Sequence, residues 1–221
     1  MLLAGASAAL AHSTGAHSSA PEKWSIRATI IEAVAGPWPC SHQPSGIEAA
    51  CRYNRVIVIE KGELGTVLLT GAKLWMAGQK SAGERADLHD WAVISFDPSV
   101  MLEQRTGLLT IVQALYPLNW MAITVGDSAD VEWAESAEGA SARLAEGSIA
   151  ELLLERQDGP RSLPSTETLR YGAAPSVLGA VEMSAALNSY RKGNAAFDLG
   201  AASGFVVRIE LSGEPASRES D

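Results

Sequence analysis

Alternating hydrophobic and polar positions predict strands at both ends of the chain. Residues 24–30 place an apolar side chain at every second position, and residues 205–211 repeat the arrangement. A period of two residues is typical of a strand that is buried on one side. We therefore expect a domain that starts near Trp24 and ends with a strand solvated on one face.

Shorter β-type runs fill the region between these two strands. Residues 55–60 and 67–76 flank the turn-rich segment Lys61–Gly65 and predict a hairpin. Similar runs cover residues 90–96, 120–125, 131–134 and 148–156. Because most of these runs lie only a turn apart, antiparallel pairing is favoured over repeated βαβ units.

One segment has the period of a helix. Asp97 can cap free backbone amides and Pro98 is tolerated in a first turn, so a helix is expected to begin there. Met101, Leu108 and Leu115 then recur on one helical face, and Pro117 prevents continuation. The predicted class is α+β, with a mostly antiparallel β-sheet and one principal α-helix at about residues 98–115.

Length and charge limit the possible partners. The chain has 221 residues and a net charge of −9. Its length predicts a single domain. We expect a leader at residues 1–20, one β-rich domain at 21–213 and a polar tail at 214–221. Scattered basic residues in an acidic protein argue against nucleic acid and membrane surfaces. An unknown small molecule or another protein is the expected partner.

The beginning of the chain resembles an export signal. Residues 2–11 are apolar and small, and Ala9-Leu10-Ala11 has the pattern that a signal peptidase accepts. The segment has no basic region before it, so an Ala-rich terminus without a targeting role is the alternative. We expect a periplasmic or secreted protein with no membrane span in the mature chain.

The two cysteines and four histidines are the candidates for special chemistry. Export favours a disulfide between Cys40 and Cys51, whereas a cytosolic location would favour two reduced thiols. If cleavage followed Ala11, the new terminal amine with His12, His17 and His42 could bind copper or zinc. The alternative is a solvated histidine-containing terminus, and apart from this copper or zinc hypothesis no cofactor is predicted.

Common catalytic motifs are absent from the sequence. The chain has no Gly-x-Ser-x-Gly, His-Glu-x-x-His, Gly-x-x-x-x-Gly-Lys-Ser/Thr or Gly-x-Gly-x-x-Gly segment. His89 beside Asp90 could form a proton relay, but strand neighbours point to opposite faces, so a surface position is the alternative. An enzyme with a dispersed site remains possible.

The order of residues also resembles a bacterial family known as domain of unknown function 1326. Residues 32–40 resemble its Cys-rich segment, Cys51 its following cysteine, and residues 62–71 its Gly-rich hairpin. Residues 91–115 and 197–205 resemble later parts of the family. Val34 and Trp38 stand where further cysteines are expected, so the resemblance implies one structural bridge rather than a multi-thiolate metal site.

These observations give three hypotheses for function. The leading hypothesis is a non-catalytic periplasmic or secreted binding protein, because an export signal and an acidic β-rich domain occur without a catalytic motif. The second is a copper- or zinc-handling protein that uses His12, His17 and His42. The third is an enzyme whose site is assembled from distant parts of the chain.

Overall fold

The computed structural model describes residues 23–35, 51–80, 89–116, 123–156, 176–199 and 202–213. These residues form twelve β-strands, one α-helix and a short 3-10 turn at Gly193–Ala195. The elements are β1 (Trp24–Ala35), β2 (Cys51–Leu64), β3 (Val67–Leu68), β4 (Lys73–Lys80), β5 (His89–Phe96), α1 (Leu102–Leu115), β6 (Ile123–Val125), β7 (Val131–Glu135), β8 (Gly139–Leu144), β9 (Ala150–Glu155), β10 (Ser176–Tyr190), β11 (Phe197–Leu199) and β12 (Ala202–Gly213).

All twelve strands belong to one mixed sheet. Its order is β6-β5-β4-β2-β1-β12-β10-β9-β8-β7, with β3 beside β2 and β11 beside β10. The prediction of an α+β class with a mostly antiparallel sheet is wrong, because strands dominate and α1 returns the chain so that β6 pairs parallel to β5. A crossover helix is what a parallel connection requires.

The strands predicted at the two ends of the domain are confirmed, but β12 is not solvated along one whole face, because Val206 is buried in the second core. β1 and β12 are adjacent and antiparallel, and the hairpin predicted after residue 55 is present as the antiparallel pair β2 and β4. The predicted leader 1–20 and tail 214–221 lie outside the described residues.

The helix begins later than predicted. Residues 98–101 are not helical; α1 starts at Leu102, with Met101 as its N-cap. The Asp97 carboxylate does not cap this helix, because it accepts hydrogen bonds from the backbone N–H groups of Ser99 and Val131. It also pairs with Lys73 at 2.8 Å, so Asp97 ties the β4–β5 side of the sheet to the start of β7.

Each face of the sheet contributes to a separate hydrophobic core. The first core lies between α1 and the face of the sheet that we call the helix face, which includes Ile30, Ile57 and Phe205. The second core lies on the opposite face and includes Val56, Trp75 and Leu152. Because side chains alternate along a strand, neighbouring residues of β2 belong to different cores.

A buried asparagine links distant strands inside the second core. Asn54 of β2 donates from Nδ2 to Asn188 Oδ1 at 2.7 Å and to the Ser189 carbonyl oxygen at 3.0 Å, both in β10. Its Oδ1 accepts a hydrogen bond from Trp75 Nε1 at 2.8 Å. These bonds connect two strands that are not neighbours in the sheet.

In the part of the chain that the structure describes, no helix is long and apolar enough to cross a membrane.

Candidate functional site

A charged pair lies in the middle of the helix face, where the surrounding side chains are apolar. Glu32 of β1 is directly opposite Arg55 of β2, and Arg55 is opposite Met76 of β4. Residues opposite each other in paired strands share a face, so Glu32 and Arg55 project into the first core. Glu32 interrupts the apolar run of β1, and Arg55 directly precedes the apolar run of β2, so both lie within β-forming sequence.

The two charges form a short ion pair that is almost closed to solvent. Arg55 Nη2 donates to Glu32 Oε1 at 2.6 Å, and the side chains are 2% and 8% exposed, respectively. A pair this deeply buried is expensive to desolvate and contributes little stability compared with apolar residues of the same volume. Its presence therefore calls for an explanation beyond folding.

Two tyrosine rings pack against the guanidinium. The Arg55 Cζ atom lies 4.3 Å from the ring centroid of Tyr53 and 4.2 Å from that of Tyr116, which follows α1. Burial raises the pKa of both phenols, although the charge of Arg55 works in the other direction. Both tyrosines are therefore neutral at ordinary pH, and the rings act as cation–π partners.

The guanidinium keeps its charge in this environment. Burial alone would lower the pKa of Arg55, but the attraction of the Glu32 carboxylate and the two tyrosines outweighs it, and the pKa is raised. An arginine side chain has five N–H donors and no acceptor. The site consequently presents a permanent positive charge with several donors.

Most of those donors are not used within the described residues. Arg55 Nε and Nη1 are buried and have no hydrogen-bond partner in the described ranges. Unsatisfied buried donors are rare in folded proteins, and those on a charged group are costly. An acceptor with a negative charge, such as a carboxylate, would satisfy them with charge-assisted hydrogen bonds.

A glycine makes room for one wall of the site. Gly78 of β4 is directly opposite Tyr53, and a Cβ atom added at Gly78 would collide with the Tyr53 ring and the Trp91 carbonyl oxygen. Glycine therefore lets the ring of Tyr53 lie across β4 beside Arg55. The requirement here is space, because no left-handed backbone conformation is recorded for Gly78.

The structure does not bring the predicted site residues together. His12, His17, His42 and Cys40 lie outside the described residues, so the metal site and the Cys40–Cys51 bridge stay predictions. Cys51 is buried at the start of β2. His89 and Asp90 are consecutive residues of β5, and the relay between them also stays a prediction. Among the described residues, no group of His, Cys, Asp or Glu is arranged to hold a metal ion.

Sequence reasoning missed Glu32 and Arg55 as a pair. The available signal was a charged residue inside the apolar run of β1 and another directly before the apolar run of β2, since such residues need partners when they are buried. Nothing in a single sequence gives the register that places Glu32 opposite Arg55. The pairing becomes visible only with the sheet.

Comparisons with known proteins give distant structural matches. No family model and no curated protein sequence matches the chain, and the resemblance to domain of unknown function 1326 stays a prediction. Solved structures that match include an acetoacetate decarboxylase from Legionella pneumophila, with a TM-score of 0.43, 11% identity and coverage of 90% of this chain and 89% of that one. Another acetoacetate decarboxylase gives a TM-score of 0.42, 6% identity and coverage of 89% and 88%.

A third match is an acetoacetate decarboxylase-like enzyme from Sphingomonas wittichii, with a TM-score of 0.36, 10% identity and coverage of 88% of this chain and 92% of that one. The matched structures are enzymes, so the prediction of a non-catalytic binding protein is corrected. Similarity at this level does not assign their activity to this chain.

Proposed function

We propose that the protein is an enzyme that acts on a small carboxylic acid held by Arg55. The observation that carries the proposal is the pair of buried, unpaired donors on Arg55 Nε and Nη1. The guanidinium is 2% exposed, and a carboxylate ligand has the charge and the acceptor oxygens to bind one of these donors.

The neighbouring residues support a reaction as well as binding. Glu32 is the acid–base candidate, because its carboxylate lies within hydrogen-bond distance of the group that would anchor the ligand. Tyr53 and Tyr116 exclude water from the guanidinium and supply apolar walls. Electrostatic interactions are strengthened in such a dry site.

A substrate panel tests this proposal. Acetate, pyruvate and acetoacetate are incubated with the purified protein, and both binding and product formation are followed by proton NMR. Arg55→Met is expected to abolish binding and turnover of every compound that the wild type accepts. Arg27→Met is the matched control, because Arg27 is an exposed arginine in a 3.4 Å ion pair with Glu210. Unchanged binding and turnover in Arg55→Met would overturn the proposal.

We also propose that the protein is exported, from the apolar residues 2–11 and the Ala9-Leu10-Ala11 pattern. Fractionation of cells that express the full chain, followed by N-terminal sequencing, tests this location. A processed protein outside the cytoplasm is expected. An unprocessed protein that stays in the cytoplasm would contradict it.

A further inference from the structure

The charge balance of the site determines how an anion can enter it. Arg55 contributes one positive charge and Glu32 one negative charge, and they already form a buried pair at 2.6 Å. Tyr53 and Tyr116 are neutral, because burial raises the pKa of each phenol. The ligand-free cluster is therefore neutral overall.

The row of the sheet that contains Glu32 offers no second cation among the described residues. On the helix face its neighbours in the same row are Arg55, Phe205 of β12 and, beyond Phe205, Glu182 of β10. Glu182 lies two strands from Glu32, or about 10 Å at ordinary strand spacing. Glu182 is partly exposed and lies on the side of Glu32 away from Arg55.

A carboxylate bound to one of the free donors of Arg55 would place a second negative charge beside the same guanidinium. Two carboxylates around one guanidinium leave a net negative charge in a buried site, and a shared proton removes it. The proton comes from solvent, and no covalent bond is made or broken. The shared proton belongs to the pair rather than to either carboxylate alone.

We propose that a small carboxylate enters this site together with one proton, which it shares with Glu32. This inference rests on the proposed function. It adds that the ligand and one proton enter together, so that binding does not change the net charge of the site. It also places a protonated carboxyl group beside the bound ligand, which is the proton donor that acid catalysis requires. Affinity should therefore fall as pH rises.

Calorimetric titration with acetate tests the proton uptake. The wild type is titrated in two buffers that differ in ionisation enthalpy, at about pH 6 and about pH 8, where free acetate and solvent-exposed carboxyls are ionised. We expect the uptake of one proton per bound acetate and a dissociation constant that rises about tenfold per pH unit. Binding without proton uptake would overturn the inference and leave the proposed function standing.

Two variants assign the proton. Glu32→Gln keeps an oxygen acceptor for Arg55 but cannot take up a proton, so we expect acetate binding with no proton uptake and no pH dependence. Glu210→Gln, at an exposed position 55% open to solvent, should behave as the wild type does. Proton uptake that persists in Glu32→Gln would overturn the role of Glu32.

The outcomes separate the two proposals. If neither the wild type nor Glu32→Gln binds acetate, pyruvate or acetoacetate at any pH, the proposed function and this inference both fail. If Glu32→Gln does not fold, which its circular dichroism would show, the pH series on the wild type still decides the proton uptake.

Discussion

Replacing Glu32 with leucine removes the carboxylate that is hydrogen-bonded to Arg55. The guanidinium is 2% exposed and has no accessible neutral form, so its charge remains buried without a compensating partner. Nη2 would then join Nε and Nη1 as unpaired donors among the described residues. Breaking one side of a buried ion pair costs about 3–5 kcal/mol.

Removing both charges should have a smaller effect than removing either one. The double variant Glu32→Leu with Arg55→Met replaces the pair by apolar side chains of similar size, and such replacements are often neutral in stability. We therefore expect the double variant to be at least about 2 kcal/mol more stable than Glu32→Leu alone. A residual cost from the fit of the leucine at position 32 would be shared by both variants.

Urea unfolding followed by tryptophan fluorescence measures these free energies, because Trp75 is 1% exposed in the second core and reports on loss of the fold. All variants must give the same dependence on urea concentration for the comparison to hold. Additive costs of the two single substitutions, or a cost below about 1 kcal/mol for Glu32→Leu, would refute the reasoning.

Three further predictions concern other parts of the fold. Gly78→Ala should cost about 1–3 kcal/mol by overpacking, whereas Gly179→Ala, with nothing within 4 Å of its added Cβ, should cost almost nothing; equal thermal shifts would contradict this. Asn54→Leu should cost about 3 kcal/mol in urea unfolding, because three buried hydrogen bonds are lost; a stability equal to that of the wild type would show that the link between β2 and β10 is dispensable. Burial alone would raise the pKa of Asp97, but hydrogen bonds from Lys73, Ser99 and Val131 lower it from 3.8 to about 2. The ionised Asp97 carboxylate therefore contributes about 2 kcal/mol to the free energy of unfolding. This contribution is complete above about pH 4 and is lost as pH falls towards 2. Asp97→Asn should lack this part of the dependence of stability on pH.

The sequence predicted those strands whose pattern is strong and local. Apolar residues occupy every second position over residues 24–30 of β1 and 205–211 of β12, and these side chains lie in the first core. The hairpin of β2 and β4 has recognisable turn residues between its strands. These elements can be predicted from their local sequence, without knowledge of their neighbours in the sheet.

Other elements depend on tertiary contacts that a single sequence does not show. β10 is rich in small residues and carries irregularities in its pairing with both neighbours, so it gave no clear period and was not predicted. A strand was predicted at residues 120–125, which include β6, but its parallel pairing with β5 rests on only three residue pairs, too few to recognise in the sequence. The helix start was misplaced because Asp97 bonds to Lys73 and Val131, which are distant in sequence.

The candidate site was missed for the same reason. In the sequence Arg55 is the first residue of a β-branched run, and Glu32 is the first residue of the segment that resembles a known family. Their pairing depends on the register of β1 against β2, and the unpaired donors depend on how Tyr53 and Tyr116 cover the guanidinium. Histidines and cysteines drew attention instead, because their chemistry can be recognised without a structure.

The most direct test of the site is the nuclear magnetic resonance signal of the Arg55 Nε–H group during titration with acetate. This group is buried and without a partner among the described residues, so its proton should exchange slowly and its signal should be observable. If acetate binds at the guanidinium, the signal should shift progressively and saturate. An Nε–H signal that stays unchanged while acetate reaches saturating concentration would contradict the claim that Arg55 anchors a carboxylate ligand.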